Sequence, residues 1–295
     1  MSNSSKNPLT QYYNEPYEKQ PQEYPGIQSK MNPTPDCGET SYKGAEKLVG
    51  KKALVTGGDS GIGRAAAIAY AKEGADVAIN YHPDEQSDAE DVKRFIEAEG
   101  RKCVLLPGNL RDTEFARNVA LKAYEALDGL DILVLNAGMQ QFEYDIEQLD
   151  EQQVRDTFEV NVFSNIFTIQ SVLKHLQPGA SIIITSSIQG VKPSAHLVDY
   201  AMTKSCNISM TKSLAAQLGP KGIRVNSVAP GPVWTPLQIS GGQPQDNIPE
   251  FGKKEPLGRA GQPVELADVY VLLASDNASY ITGQVYGITG GTPIN

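Results

Sequence analysis

In the stretch HLVDYAMTKSC, residues 196–206, a tyrosine and a lysine stand four residues apart. The stretch reads as the start of a helix, so Tyr200 and Lys204 share one face, one turn apart. A phenol beside an ammonium can exchange a proton with a substrate. Free tyrosine titrates near pH 10, and a neighbouring positive charge favours the phenolate. Bringing the phenol to neutrality requires roughly 4 kcal/mol of differential interaction, within reach of close charges in a partly dry site. The same pair also suits the solvated face of an ordinary amphipathic helix, so other residues must decide. A second chemical feature is TGGDSGIG, residues 56–63. Its glycines Gly57, Gly61 and Gly63 sit where a strand turns into a helix. Backbone there can bend tightly and approach a pyrophosphate at the positive end of the helix. The spacing between the first two glycines is wider than in G-x-G-x-x-G, and a glycine-rich turn alone can be only a turn.

Both features need elements to position them. From Lys51 onward the chain alternates short apolar runs with helical patterns. KALVTGG, ADVAINY, KCVLLPG, DILVLNAG, ASIIITSS, IRVNSVAPG and GQVYGITGG read as strands. Between them lie helical patterns, among them GIGRAAAIAYAKEG and one long helix from Glu151 to Leu176. Continuous apolar strands alternating with helices predict an α/β fold. The expected architecture is a single-domain, Rossmann-type, doubly wound parallel sheet of about seven strands flanked by helices. Residues 48–295 form this domain, and residues 1–47 form an N-terminal extension.

A chain of 295 residues with 40% hydrophobic content can bury a sizeable core. The net charge of −9 and the lack of a basic patch exclude nucleic acid as an expected partner. The first residues are polar without an apolar core, and no run is long enough to span a bilayer. Cys37, Cys103 and Cys206 form no C-x-x-C, which suits a reduced, cytoplasmic compartment. Cys103 and Cys206 fall in apolar patterns and read as small core residues. His82, His175 and His196 lack metal-ligand spacing, so no metal is expected.

T-G-x-x-x-G-x-G in the first strand–helix unit resembles the short-chain dehydrogenase/reductase family. Further motifs carry the resemblance in the same order along residues 48–295. They are Asn136, Ala137 and Gly138 after the fourth strand, and Asn161 in the long helix. Ser187 follows, thirteen residues before Tyr200, and then YAMTK and APGPVWT. The extension and the run WTPLQISGGQ resemble a bacterial subgroup of general stress proteins and aldehyde reductases. The resemblance implies an oxidoreductase acting on a small alcohol, aldehyde or ketone with NADP(H) or NAD(H). It implies Tyr200 as general acid and base, and Lys204 lowering its pKa and holding the nicotinamide ribose. Ser187 would bind the substrate oxygen, and Asn161 would hold a water in a proton relay. It also implies cofactor contacts from Gly57, Asp59, Ser60, Gly61, Ile62 and Gly63, and from Asn136, Ala137 and Gly138. Pro230, Gly231, Val233 and Thr235 would close over the nicotinamide. A homotetramer is the implied assembly.

An acidic residue at the end of the second strand would bind the ribose 2′-hydroxyl. Tyr81 and His82 stand there instead, which permits a 2′-phosphate. The glycine loop offers no arginine for that phosphate, and Asp59 repels it. The reading leans toward NADP(H) and keeps NAD(H) open. Asn109 and Leu110 after the third strand are expected to flank adenine. Gln140, Gln141, Phe142, Gln189, His196 and Trp234 are expected to face the substrate. A dinucleotide sensor without turnover and a stress-related binding protein are the competing classes. An intact Ser187, Tyr200 and Lys204 set argues against the sensor, and assaying turnover after deletion of residues 1–45 separates a function of the extension from that of an enzyme. The extension is rich in Pro, Gln and Tyr without periodicity, and reads as either a flexible tail or an extended, docked arm. Since the chemical motifs lie outside it, its expected contribution is stability or assembly, leaving cofactor affinity unchanged.

Overall fold

The structure, a computed structural model, describes residues 5–294. Its first half runs β1 (Lys52–Thr56), α1 (Gly61–Lys72), β2 (Asp76–Tyr81), α2 (Gln86–Ala98), β3 (Cys103–Pro107), α3 (Thr113–Leu127) and β4 (Ile132–Leu135). The second half runs α4 (Glu151–Phe158), α5 (Ser164–Val172), β5 (Ser181–Thr185), α6 (Val198–Leu218), β6 (Arg224–Pro230), α7 (Val264–Ala274) and β7 (Val285–Ile288). The strands form one parallel sheet in the order β3-β2-β1-β4-β5-β6-β7. The expected doubly wound sheet is therefore present.

The strands are apolar throughout because both faces are covered. Ala53 and Val55 of β1 pack into the layer built by α1, α2 and α7. Leu54 between them points into the opposite layer, with α3, α5 and α6. Each fully buried large aliphatic side chain contributes about 1.5–3 kcal/mol. The strand order reverses between β1 and β4, which opens a crevice at their C-terminal ends.

The long helix expected from Glu151 to Leu176 is interrupted. A wide, π-helical turn spans Glu159–Phe163 between α4 and α5, and a 3-10 turn, Leu173–His175, ends it. The wide turn contains Asn161, whose side chain leaves its own helix to bond the backbone of Met139. Such single wide turns commonly re-aim a side chain at a functional site.

Residues 5–47 contain one 3-10 turn, Gln28–Lys30, and otherwise irregular backbone. They lie against the sheet domain nonetheless. Tyr17, Met31, Cys37 and Tyr42 are buried, and Tyr17 stacks on Trp234 with ring centres 3.8 Å apart. Arg64 of α1 bonds Glu39 at 2.8 Å, and Tyr42 donates to Glu73 at 2.5 Å. Of the three cysteines, Cys37 in this segment is the fully buried one, while Cys103 and Cys206 are only half-buried. No helix among the described residues is long and apolar enough to cross a membrane.

Candidate active site

At the end of β1, Gly57 and Gly61 take positive φ of 60° and 51°. A Cβ on Gly63 would lie 1.8 Å from the Gly57 carbonyl oxygen, so α1 starts in direct backbone contact with the turn. The turn is tied to the N-A-G segment. Thr56 Oγ1 accepts from the amides of Asn136 and Ala137, and Asn136 Nδ2 donates to the Gly57 carbonyl. Thr185 Oγ1 in turn donates to Asn136 Oδ1.

A cleft of about 570 Å³ runs from this turn along the C-terminal edge of the sheet. Gly57, Asp59, Ser60, Gly61 and Ile62 line one end, with Tyr81, His82, Asn109 and Leu110. Asn136, Ala137 and Gly138 line its floor. Ser187, Tyr200 and Lys204 line the other end, with Pro230, Gly231, Val233 and Thr235. Two of the residues expected to be catalytic or to hold the cofactor are not in the lining. Gly63 supports the turn from behind, and Asn161 sits fully buried beneath the floor. Both hydrogens of the Asn161 amide are engaged, by the Met139 carbonyl at 2.9 Å and Thr203 Oγ1 at 3.0 Å. Its oxygen accepts from the Met139 amide at 2.8 Å. Its side chain joins the floor loop to α6 next to Lys204, and its amide hydrogens are not free for a water.

Tyr200 and Ser187 line the same end of the cleft, and Ser187 Oγ accepts from the Gln189 amide at 3.1 Å. Lys204 donates to the Thr185 carbonyl at 3.0 Å, and its ammonium lies 5.3 Å from the centre of the Tyr200 ring. All three side chains are buried. Burial pushes the Tyr200 phenol up to about 12, with Ser187 pulling weakly the other way. Burial also lowers Lys204 to about 8. The ammonium was expected to pull the phenol down, but in the ligand-free cleft desolvation wins. Lys204 points its proton at the Thr185 carbonyl rather than at the phenol, and burial is the larger effect on Tyr200.

At the far end the carboxylate missing from the end of β2 is supplied by another route. Pro83–Glu85 forms a short turn in which Glu85 folds back to accept from the His82 amide at 3.1 Å. That places the Glu85 carboxyl in the cleft, where it feels the charge of Asp59. Asp59 is buried, and its Oδ2 has no hydrogen-bond partner. Burial pushes Asp59 up to about 7, with the charge of Asp88 adding to it, and pushes Glu85 up to about 9, with the charge of Asp59 adding to it. The spacing from Gly63 to Glu85 is close to the interval at which a ribose-binding acid is expected, so this residue was readable. Tyr24 and Pro25 from the N-terminal segment also line the cleft, and no motif points to them.

Of the residues expected at the substrate, Gln140, Gln189 and His196 line the cleft, while Gln141, Phe142 and Trp234 do not. Trp234 is fully buried on the other side of its loop. Its indole N–H donates to the Pro33 carbonyl at 2.8 Å, and Tyr17 covers its face. The glycine cradle, its open helix terminus and the unpartnered Asp59 oxygen together fit a dinucleotide.

A family profile described as enoyl-(acyl carrier protein) reductase matches residues 57–292. The oxidoreductase YhxD of Bacillus subtilis is 61% identical, over 99% of each chain. General stress protein 39 of Bacillus subtilis is 48% identical, over 90% of this chain and 93% of its own. A crystal structure of a short chain dehydrogenase from Burkholderia cenocepacia in complex with NADP is 34% identical. It covers 83% of this chain and 98% of its own, with a TM-score of 0.77.

The buried phenol has a direct consequence. Tyr200 is expected to stay neutral through the physiological range, because burial raises its phenol. Ultraviolet difference titration of the wild type against Tyr200→Phe is expected to show no extra phenolate below about pH 10. A phenolate assignable to Tyr200 near neutrality would show that Lys204 governs it more strongly than burial does.

Proposed function

The chain belongs to the short-chain dehydrogenase/reductase family, and from that premise we propose an NAD(P)-dependent oxidoreductase acting on a small alcohol, aldehyde or ketone. The observation that carries this reading is the burial of Ser187, Tyr200 and Lys204 at one end of a cleft whose other end is a glycine turn. Bound there, the nicotinamide would supply or accept the hydride. In reduction the Tyr200 hydroxyl gives its proton to the substrate oxygen, and in oxidation the phenolate takes it back. Ser187 steadies the same oxygen by hydrogen bonding. Lys204, held by the Thr185 carbonyl, would offer its remaining N–H donors to the ribose hydroxyls and its charge to the phenol. Asn161 positions Lys204 by joining the floor loop to α6 through Thr203. Residues 48–295 would form the catalytic unit and residues 1–47 its extension, working with reduced thiols in the cytoplasm.

The adenosine end would be formed by Tyr81, His82, Asn109 and Leu110, with Gly57, Asp59, Ser60, Gly61 and Ile62 at the pyrophosphate. Either nicotinamide fits this outline, and the neighbour in complex with NADP supports the phosphorylated form. The Asp59–Glu85 pair works against a 2′-phosphate in proportion to its ionisation. A homotetramer is the assembly we propose. Phe163 and Ile166, exposed side by side at the start of α5, support an apolar contact there.

Three measurements test these statements. Tyr200→Phe keeps the ring and removes the acid, so turnover is expected to fall by on the order of 10²–10⁴ while cofactor affinity persists. Activity within about tenfold of wild type would overturn the assignment. For the cofactor, the two carboxyls have raised pKa values, so they are mainly neutral in mild acid and gain charge as pH rises. Between about pH 6 and about pH 9 the dissociation constant of NADP(H) should rise relative to NAD(H) by about tenfold, or about 1.4 kcal/mol. A ratio independent of pH would mean that the pair faces away from the ribose. Light scattering at micromolar concentration should give the mass of four chains, and a monomer would refute the assembly.

A further inference from the structure

The stretch of residues 22–29 touches both walls of the cleft. On the substrate side, the Gln22 amide donates to the Ile239 carbonyl at 3.1 Å, and Ser240 Oγ donates to the Pro25 carbonyl at 3.1 Å. On the dinucleotide side, Gln28 Oε1 accepts the Gly61 amide at 2.7 Å, at the first residue of α1. The amides of Gln28 and Ser29 donate to the two oxygens of Asp88 on α2, at 2.6 and 3.3 Å. Between these two sets of anchors Tyr24 and Pro25 line the cleft itself. The Tyr24 ring lies edge-on to His82 with centres 6.3 Å apart. The Gln22 side chain bonds both the amide and the carbonyl of Ile27, which fixes the curve of the crossing.

The segment on the substrate side is held from outside by more of the same arm. Gln20 bonds Gln245 at 3.0 Å, Lys19 pairs with Asp246, and Lys253 reaches the Asn14 carbonyl. From inside the cleft, Gln140 holds the Gly242 carbonyl at 2.6 Å. Loops of this length that cover a site are usually drawn from the least stable parts of a fold, and move. Here the backbone of the loop has partners before any ligand arrives.

We propose that residues 22–29 are a fixed strap across the cleft, making Tyr24 part of the dinucleotide site and Gln28 a positioning residue that holds the loop 236–252 against the glycine turn. The arm therefore sets nucleotide affinity as well as stability, contrary to the expectation drawn from the position of the motifs. Preorganisation of this kind raises affinity by removing the entropy of ordering the loop on binding. The proposal rests on the dinucleotide reading for the identity of the ligand, and not for the mechanics of the strap.

The test uses the full-length protein. Dissociation constants of NAD(H) and NADP(H) are measured by nucleotide fluorescence for wild type, Tyr24→Ala and Tyr24→Phe. Tyr24→Ala is expected to weaken both by about tenfold, equivalent to about 1.4 kcal/mol, and Tyr24→Phe to restore affinity to within about twofold. Hydrogen exchange of residues 236–252 is then followed without ligand in wild type and Gln28→Ala. Exchange is expected to be slow in wild type and at least about tenfold faster in the variant. Should Gln28→Ala fail to fold, Ser240→Ala releases the strap from its other anchor and gives the same reading. A change below about threefold for Tyr24→Ala, or exchange that is fast in wild type or unmoved in the variant, overturns the strap. If the wild type binds neither nucleotide, the proposed function falls, and the exchange measurement still decides the strap.

Discussion

Between the Gly57 carbonyl and the first turn of α1 there is no room for a methyl group. A Cβ at Gly63 would meet that oxygen at 1.8 Å and Asn136 Nδ2 at 2.6 Å. The contact fixes where α1 starts, and through Asn136 it fixes more. Gly57 is bonded by Asn136, Asn136 by Thr185, and the Thr185 carbonyl holds the Lys204 ammonium. One chain of hydrogen bonds thus runs across the C-terminal edges of β1, β4 and β5 from the glycine turn to α6. Overpacking at a contact of this kind costs about 1–3 kcal/mol and shifts backbone. Here the shift would pass to the carbonyl that holds the Lys204 ammonium. The two ends of the cleft are consequently one structural unit.

Burial acts in one direction on the four ionisable groups at the two ends of the cleft. Tyr200, Asp59 and Glu85 are raised and Lys204 is lowered, so each is moved toward its neutral form. A cleft arranged in this way discriminates by charge. A ligand that brings hydrogen-bond donors to Asp59 satisfies an oxygen that now has none. A ligand that brings negative charge must face two carboxyls sharing little solvent. At the other end, low dielectric strengthens the response of the phenol to any charge placed beside it. Groups displaced from their ordinary titration range by burial and by one another are the usual mark of a functional site.

How much of this was legible follows from how each feature is encoded. The sheet was readable because both of its faces are covered, which makes every strand a continuous apolar run. The turn was readable because only glycine fits at Gly57 and Gly63. Tyr200 and Lys204 were readable because one helical turn fixes their spacing, and Ser187 through the family resemblance. The break at Glu159–Phe163 was not, since its cause is a side chain of α4–α5 bonding to a distant loop at Met139. Glu85 stands four residues past the end of β2, and only the Pro83–Glu85 turn brings its carboxyl back to the cleft. Trp234 was placed in the pocket by its motif. It lies on the other face of its loop because a ring of that size is better covered by Tyr17 than left in a polar cleft.

The N-terminal arm sets the limit of such reading. It has neither the period of a helix nor that of a strand, because its partners are other parts of the molecule. Its amides and carbonyls bond Asp88, Gln245, Ile239, Ser240 and Val264, which lie on different elements far along the sequence. What orders it is burial of single residues at intervals, Tyr17 on Trp234, Met31, Cys37 and then Tyr42 at Glu73. Prolines lower the entropy lost when the chain between those anchors is fixed. Such a segment is compositionally close to a disordered tail, and differs by carrying aromatic rings that find cavities of the right shape. Its path over the cleft then follows from the anchors. A chain held at Trp234 on one wall and at Gly61 and Asp88 on the other has to cross the space between them. The residues that make that crossing, Tyr24 and Pro25, become cleft wall whatever their own sequence signal.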